Sequence, residues 1–212
     1  MPHDRHKNLV NALSSVFTGE EAVCLARLML SAGPDDEVRY EAVDLPDEIR
    51  DEWILWAFEE RLLLPRLSRP GGAWQERLLT LQTGAVYVMP PVVRVLMDAA
   101  SISGALDPAG AIRRSLPETD ETRAAQLVLL FDILKRHTVA FQLEAGLMNI
   151  LNSTCTPGVD LHDALDQFVL AGMMSPCPGR SLTTGLAWYE INRALFWDEP
   201  PAPPTDAPSS AA

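Results

Sequence analysis

The sequence predicts an α+β protein, mainly α with small β-hairpins, arranged as two similar units in tandem. Three observations support this fold class. Residues 47–61 carry apolar side chains at helical spacings of three and four. Short β-rich runs, such as 85–89, end at prolines. Several short landmarks also occur twice, in the same order, along the 212 residues. The expected molecule therefore repeats a small unit of helices and hairpins.

The segment 44–65 predicts one amphipathic helix followed by one strand. Either Asp44 caps the helix from outside or Asp47 caps it directly after Pro46. Trp53 and Trp56 lie among apolar residues at helical spacing, so the helix should end near Arg61. The apolar run 62–67 is typical of a strand interrupted by proline.

The rest of the first unit is predicted from caps and turns. Thr18 should cap a helix over 20–32, with Glu20 and Glu21 in its first turn. The segment 35–43 is open between a short helix and a short strand. Composition predicts a loop over residues 68–72, and apolar and polar residues alternate loosely over 74–81. Residues 85–89 are predicted as a strand, followed by a helix from Pro91 to about residue 100.

The second unit is predicted in the same way. A short helix over 108–115 precedes a helix from about 120 to 136, a second helix over 141–151 and a third that starts at Asp160. A strand should begin at Met173 and stop at Pro176. Segment 186–196 is open between a strand through Ile191 and a short terminal helix.

Four landmarks indicate the repeat and set the domain bounds. The pairs are Asp44-Leu45-x-Asp47 with Asp160-Leu161-x-Asp163, Leu63-Leu64-Pro65 with Met174-Ser175-Pro176, Thr83-Gly84 with Thr184-Gly185, and the run 94–98 with 193–198. The predicted domains are a leader (1–17), a first unit (18–101), a connector (102–119), a second unit (120–198) and a disordered Pro-rich tail (199–212).

The order helix, short element, helix, strand, loop, strand, closing helix over 18–101 resembles a winged helix-turn-helix domain. The resemblance implies that the helix beginning at Asp47 takes the position of a recognition helix. In this chain that helix starts with Asp47, Glu48, Asp51 and Glu52, and its counterpart over 160–166 has no Lys or Arg. Coulomb repulsion from phosphates therefore disfavours the usual DNA-binding mode in both units.

DNA is left as the alternative partner, through the loop that corresponds to the first wing. The chain has a net charge of −12, which disfavours nucleic acid, but four arginines cluster near this loop: Arg61, Arg66, Arg69 and Arg77. They could bind DNA and make the protein a transcription regulator. The other interpretation is that they pair with the nearby acids Glu59, Glu60 and Glu76.

The leading functional expectation is a non-enzymatic regulatory or adaptor protein that binds another protein, alone or as a dimer. Aromatic residues are enriched at interfaces. The expected interface residues are Trp74, as an exposed anchor in the wing loop, and then Trp53 and Trp56 on one side of a helix. A small-molecule sensor is a third class, and it would need an apolar pocket between the units.

No catalytic motif, cofactor site or metal site is expected. Cys155, His162 and Cys177 match no common zinc spacing. The odd number of cysteines, three, disfavours a disulfide framework, and no apolar run is long enough for a membrane span. A cytoplasmic protein is the resulting expectation.

Overall fold

The structure, a computed structural model, describes residues 2–66, 73–116, 120–177 and 187–197. Within these ranges there are eight α-helices: α1 (Pro2–Leu13), α2 (Gly19–Leu30), α3 (Asp47–Glu59), α4 (Pro91–Ser103), α5 (Pro108–Ser115), α6 (Glu121–Arg136), α7 (Ala145–Cys155) and α8 (Leu161–Leu170). The strands there are β1 (Glu37–Arg39), β2 (Leu64–Pro65), β3 (Val86–Val88), β4 (Gln142–Glu144), β5 (Met174–Cys177) and β6 (Trp188–Ile191). The predicted α+β class is confirmed.

The strands form two antiparallel sheets with the same connectivity. The orders are β1-β3-β2 and β4-β6-β5, so the last strand of each sheet lies in the middle. Val38 pairs with Tyr87 in the first sheet, and Leu143 pairs with Tyr189 in the second. Assignment of either unit to the winged helix-turn-helix fold stays a prediction, and the landmark Thr184-Gly185 and the tail lie outside the described residues.

The first strand of each sheet was difficult to recognise in the sequence, because it is only three residues long. β1 occupies part of the segment left open at 35–43, and a 3₁₀ helix, Tyr40–Ala42, follows it. β4 lies where a helix over 141–151 was predicted, and that part of the prediction is wrong. Ala140 and Phe141 have φ values of 50° and 61°, which prevents a helix from starting there. Pairing with β6 then holds the next three residues extended.

The strands that contain proline lie at sheet edges, where a missing N–H is tolerated. β2 is only Leu64–Pro65, because α3 ends in a left-handed turn at Arg61, with a φ of 62°. The N–H of Leu62 donates to the Ala57 carbonyl at 2.8 Å, as in a Schellman motif. Pro176 does not stop β5, which continues to Cys177. Over 186–196, the strand and the terminal helical turn (a 3₁₀ helix, Arg193–Phe196) both occur, one after the other.

The predicted leader packs into the first unit. α1 lies against α2 and α4, and Leu9 and Leu13 are fully buried. Burial of each leucine contributes about 1.5–3 kcal/mol. Arg5 Nη2 also forms an ion pair with Asp98 at 2.8 Å on α4. Helix α1 therefore packs as part of the same core as α2 and α4.

A single hydrophobic core runs through both units, from Leu9 in α1 to Leu195 near the end of the described chain. The units also meet through their backbones, since the Val92 N–H donates to the Ala171 carbonyl at 2.9 Å. Gly172 lies at this junction with a φ of 70°, and a Cβ there would lie 2.6 Å from Pro90 Cβ. None of the helices in the described ranges has the length and apolar character that a membrane span requires.

Replacing Gly172 with alanine should lower the free energy of unfolding by about 2–4 kcal/mol, measured by urea denaturation. The loss has two causes, the left-handed backbone and the contact with Pro90. Gly84→Ala is the matched control, because Gly84 has a φ of 86° but no atom within 4 Å of its Cβ position. It should cost only about 1–2 kcal/mol. Equal losses in the two variants would contradict close packing of the units at Gly172.

Candidate functional site

Helix α3 is a surface helix whose exposed side combines acids and aromatic rings. It starts after Pro46, and Asp47 and Glu48 in its first turn suit the positive end of the helix dipole. Only Ile54 and Ala57 of its residues are buried. Most of the helix therefore borders solvent.

Two of the four acids in the N-terminal half of α3 are already engaged. Asp47 pairs with Arg50 Nη2 at 2.7 Å, and Asp51 accepts a hydrogen bond from the Tyr40 hydroxyl at 2.8 Å. That bond raises the pKa of Tyr40, because it stabilises the protonated hydroxyl beside a carboxylate.

Glu48 and Glu52 are the open acids in the N-terminal half of α3. Both are exposed, and neither carboxylate has a hydrogen bond or ion pair with another described residue. They are four positions apart, so their carboxylates lie on one face of the helix. This face leads to Trp56, which is four positions further along.

An aromatic pocket of about 260 Å³ lies at the end of this acidic face. Its lining is Phe17, Glu21, Glu52, Trp53 and Trp56. The Trp53 and Trp56 ring centroids are 5.6 Å apart at 67°, and those of Phe17 and Trp56 are 5.5 Å apart at 85°. The ring planes are therefore steeply inclined to one another.

Both ends of the pocket are supported from outside α3. Phe17 follows α1. Besides Trp56, its ring contacts Trp197 of the second unit, with the ring centroids 5.1 Å apart. Glu21 comes from the first turn of α2, where its Oε2 accepts hydrogen bonds from the Thr18 N–H at 2.9 Å and hydroxyl at 2.7 Å. These bonds, the hydroxyl first, lower the pKa of Glu21 and keep it ionised.

The three predicted interface tryptophans differ in their exposure to solvent. Trp53 and Trp56 are half-buried and line the aromatic pocket. The prediction that Trp74 is exposed is wrong, since only 5% of it is accessible. Its backbone N–H donates to Ser175 Oγ at 3.0 Å, so the 3₁₀ helix Trp74–Glu76 is held against β5. Trp74 is thus a core residue where the two units meet.

Most residues of the predicted arginine cluster make contacts within the molecule. Arg66 pairs with Glu37 at 2.5 Å, and Arg77 donates to the Pro65 carbonyl at 3.2 Å. Burial lowers the pKa of Arg77. Arg69 lies outside the described residues. Pairing with acids was the other prediction. Arg61 and Arg66 do pair with acids, but not with the predicted ones, and Glu60 pairs with Arg193 instead.

Among the described arginines predicted to contact DNA, Arg61 is the one most clearly engaged in the interior of the protein. It binds Glu190 with two hydrogen bonds, of 3.0 and 3.2 Å, and the two side chains are only 12% and 5% exposed. Asn192 adds a hydrogen bond from Nδ2 to the Arg61 carbonyl at 3.0 Å. Arg61 and Glu190 are 129 residues apart, and no local sequence signal connects them. This network fixes the end of α3 to the second unit, and Arg61 is not placed to contact a phosphate backbone.

A protein-family model matches residues 11–198, and the chain belongs to that family. The match includes both sheets and every residue of the aromatic pocket. No curated protein and no solved structure matches the chain. Both sheets and the aromatic pocket therefore lie within the stretch that the family model matches.

Replacing Glu190 with glutamine should lower the free energy of unfolding by about 3 kcal/mol, because Arg61 would remain buried without a counter-charge. Urea denaturation measures the change. Glu37→Gln is the matched control: it breaks the more exposed pair with Arg66, whose side chain is 60% exposed, and should cost less than about 1 kcal/mol. Similar losses in both variants would contradict the structural role of the Arg61–Glu190 pair.

Proposed function

We propose that this protein is a non-enzymatic interaction module that binds a basic segment of a partner protein through α3, in a regulatory or adaptor role. The observation that carries this proposal is the single exposed face on which Glu48 and Glu52 lead into the aromatic pocket. Carboxylates attract Lys and Arg side chains, and Trp rings bind cations over their faces. The face is thus complementary to a positively charged peptide.

The charge of the whole chain supports a basic partner. The net charge of −12 produces a negative field that speeds the approach of a basic segment and repels nucleic acid. Glu21 adds a carboxylate that Thr18 keeps ionised, which suits attraction of a cation and not donation of a proton.

The rigidity of α3 supports binding without rearrangement. Arg50 Nη2 donates to the Leu45 carbonyl at 3.1 Å near the start of the helix, and Arg61 is bound to Glu190 at its end. A surface held at both ends loses little conformational entropy when a peptide binds. We place the module in the cytoplasm, where its free cysteines would stay reduced.

A short unstructured peptide of Lys, Gly and Ser should bind the full chain, with an affinity that falls as salt is added. The double variant Glu48→Gln/Glu52→Gln should weaken this binding about fivefold, measured by isothermal titration calorimetry, because two open carboxylates are removed.

The matched control is Glu76→Gln/Glu121→Gln. It changes the net charge equally, and Glu121 is a first-turn acid of α6 as Glu48 is of α3. It should leave peptide affinity nearly unchanged. An equal loss in the control would indicate unspecific attraction to the net charge and would overturn the proposal. So would tight binding of duplex DNA at physiological salt together with no peptide binding.

A further inference from the structure

We propose that the aromatic pocket binds a trimethylated lysine of the partner, an inference that rests on the function proposed above. Three aromatic side chains and two carboxylates surround one small cavity at the surface. This is the combination that recognises quaternary ammonium groups, because aromatic faces are negative and methylated ammonium groups are weakly hydrated cations.

The arrangement of the rings suits a cation with several faces. Trp56 stands between Trp53 and Phe17, and both neighbours are steeply inclined to it, at 67° and 85°. Non-parallel rings around a cavity can contact different sides of the same tetrahedral group. Trp also gives the strongest cation–π attraction among the aromatic side chains.

The chain places its own cations over other rings. Four such contacts occur in the described residues: Arg50 over Tyr40, Arg61 over Phe58, Lys135 over Phe196 and Arg193 over Phe141, at 5.0–5.4 Å from the ring centroid. In the same part of the chain, no Lys or Arg lies over a ring of the aromatic pocket. The pocket rings therefore remain available to a cation from outside.

The hydrogen-bonding capacity of the pocket favours a methylated ammonium over an unmodified one. An unmodified lysine has three N–H donors and loses strong hydration on entering a pocket. Of the two carboxylates, Glu21 already accepts two hydrogen bonds at Oε2 from Thr18. A trimethylammonium group needs no acceptors, yet it still gains Coulomb attraction from Glu21 and Glu52.

The size and surroundings favour a side chain over a free ligand. The volume of about 260 Å³ is below the roughly 300–1,000 Å³ of pockets that enclose drug-sized ligands. Glu48 extends the acidic face one helical turn beyond the pocket, where it can attract a second basic residue of the same peptide. A trimethylated lysine beside further basic residues uses both features.

The test uses three versions of the Lys, Gly and Ser peptide that differ at one position: lysine, trimethyllysine and its neutral tert-butyl analogue of the same shape. With the full chain, the trimethylated peptide should bind about tenfold more tightly than the unmodified one, measured by calorimetry. The neutral analogue should bind more weakly than the trimethylated peptide. Equal binding of the neutral analogue would show an apolar pocket and would overturn the inference.

Two variants locate the effect. Trp53→Leu keeps an apolar side chain but removes the aromatic face, so the preference for trimethyllysine should fall to about twofold or less. Phe58→Leu is the matched control, because Phe58 is a half-buried aromatic residue of α3 that does not line the pocket, and the preference should persist. Thermal melting checks that each variant folds. If Trp53→Leu does not fold, competition of the three peptides against one another on the native chain still tests the preference for trimethyllysine.

Separate outcomes identify which proposal fails. Binding of the basic peptide with no preference for trimethyllysine would overturn the inference and leave the proposed function in place. No binding of any of the three peptides would overturn both. Tetramethylammonium chloride alone is the final arm: if it saturates the pocket as tightly as the trimethylated peptide does, the ligand is a free quaternary ammonium compound, and the assignment to lysine is wrong.

Discussion

The buried ion pair between Arg61 and Glu190 is the interaction on which the arrangement of the molecule depends. Each charge is nearly shielded from water, so each requires the other as its counter-charge. The pair joins the residue that ends α3 to the central strand of the second sheet. Asn192 reinforces it by bridging the Arg61 and Gly172 carbonyls at 3.0 and 3.3 Å. A fully satisfied polar network of this kind favours one arrangement of the two units.

A structural consequence is that the second unit supports the aromatic cluster of the first. The aromatic rings form a line from Trp53 through Trp56 and Phe17 to Trp197, and only the last belongs to the second unit. Trp197 packs edge-to-face against Phe17, with an angle of 87° between the ring planes. The equivalent helix of the second unit, α8, starts with acids but has no tryptophan. The two units thus share a connectivity and differ in their surface chemistry.

The features that were predictable from sequence are those with local causes. Helical spacing placed α3, the four exposed acids of its N-terminal half and the neighbouring Trp53 and Trp56. Cap residues such as Thr18 and Asp160 placed helix starts. The position of Trp74 was missed because its burial comes from β5, about a hundred residues later. The partner of Arg61 was missed for the same reason. The pocket itself needs Phe17, which no pattern connected to α3, and the short strand β4 is held by β6 rather than by its own residues.

The contact between Phe17 and Trp197 has a consequence for how the protein is made. The two rings come from near the two ends of the described chain, so they meet only after almost all of it has left the ribosome. Helices α1, α2 and α4 can pack earlier, since α1 contacts both α2 and α4. During synthesis the nascent first unit therefore shows its acidic helix before the wall of its pocket is secured. The contact with Trp197, and not folding of the first unit alone, completes this aromatic cluster.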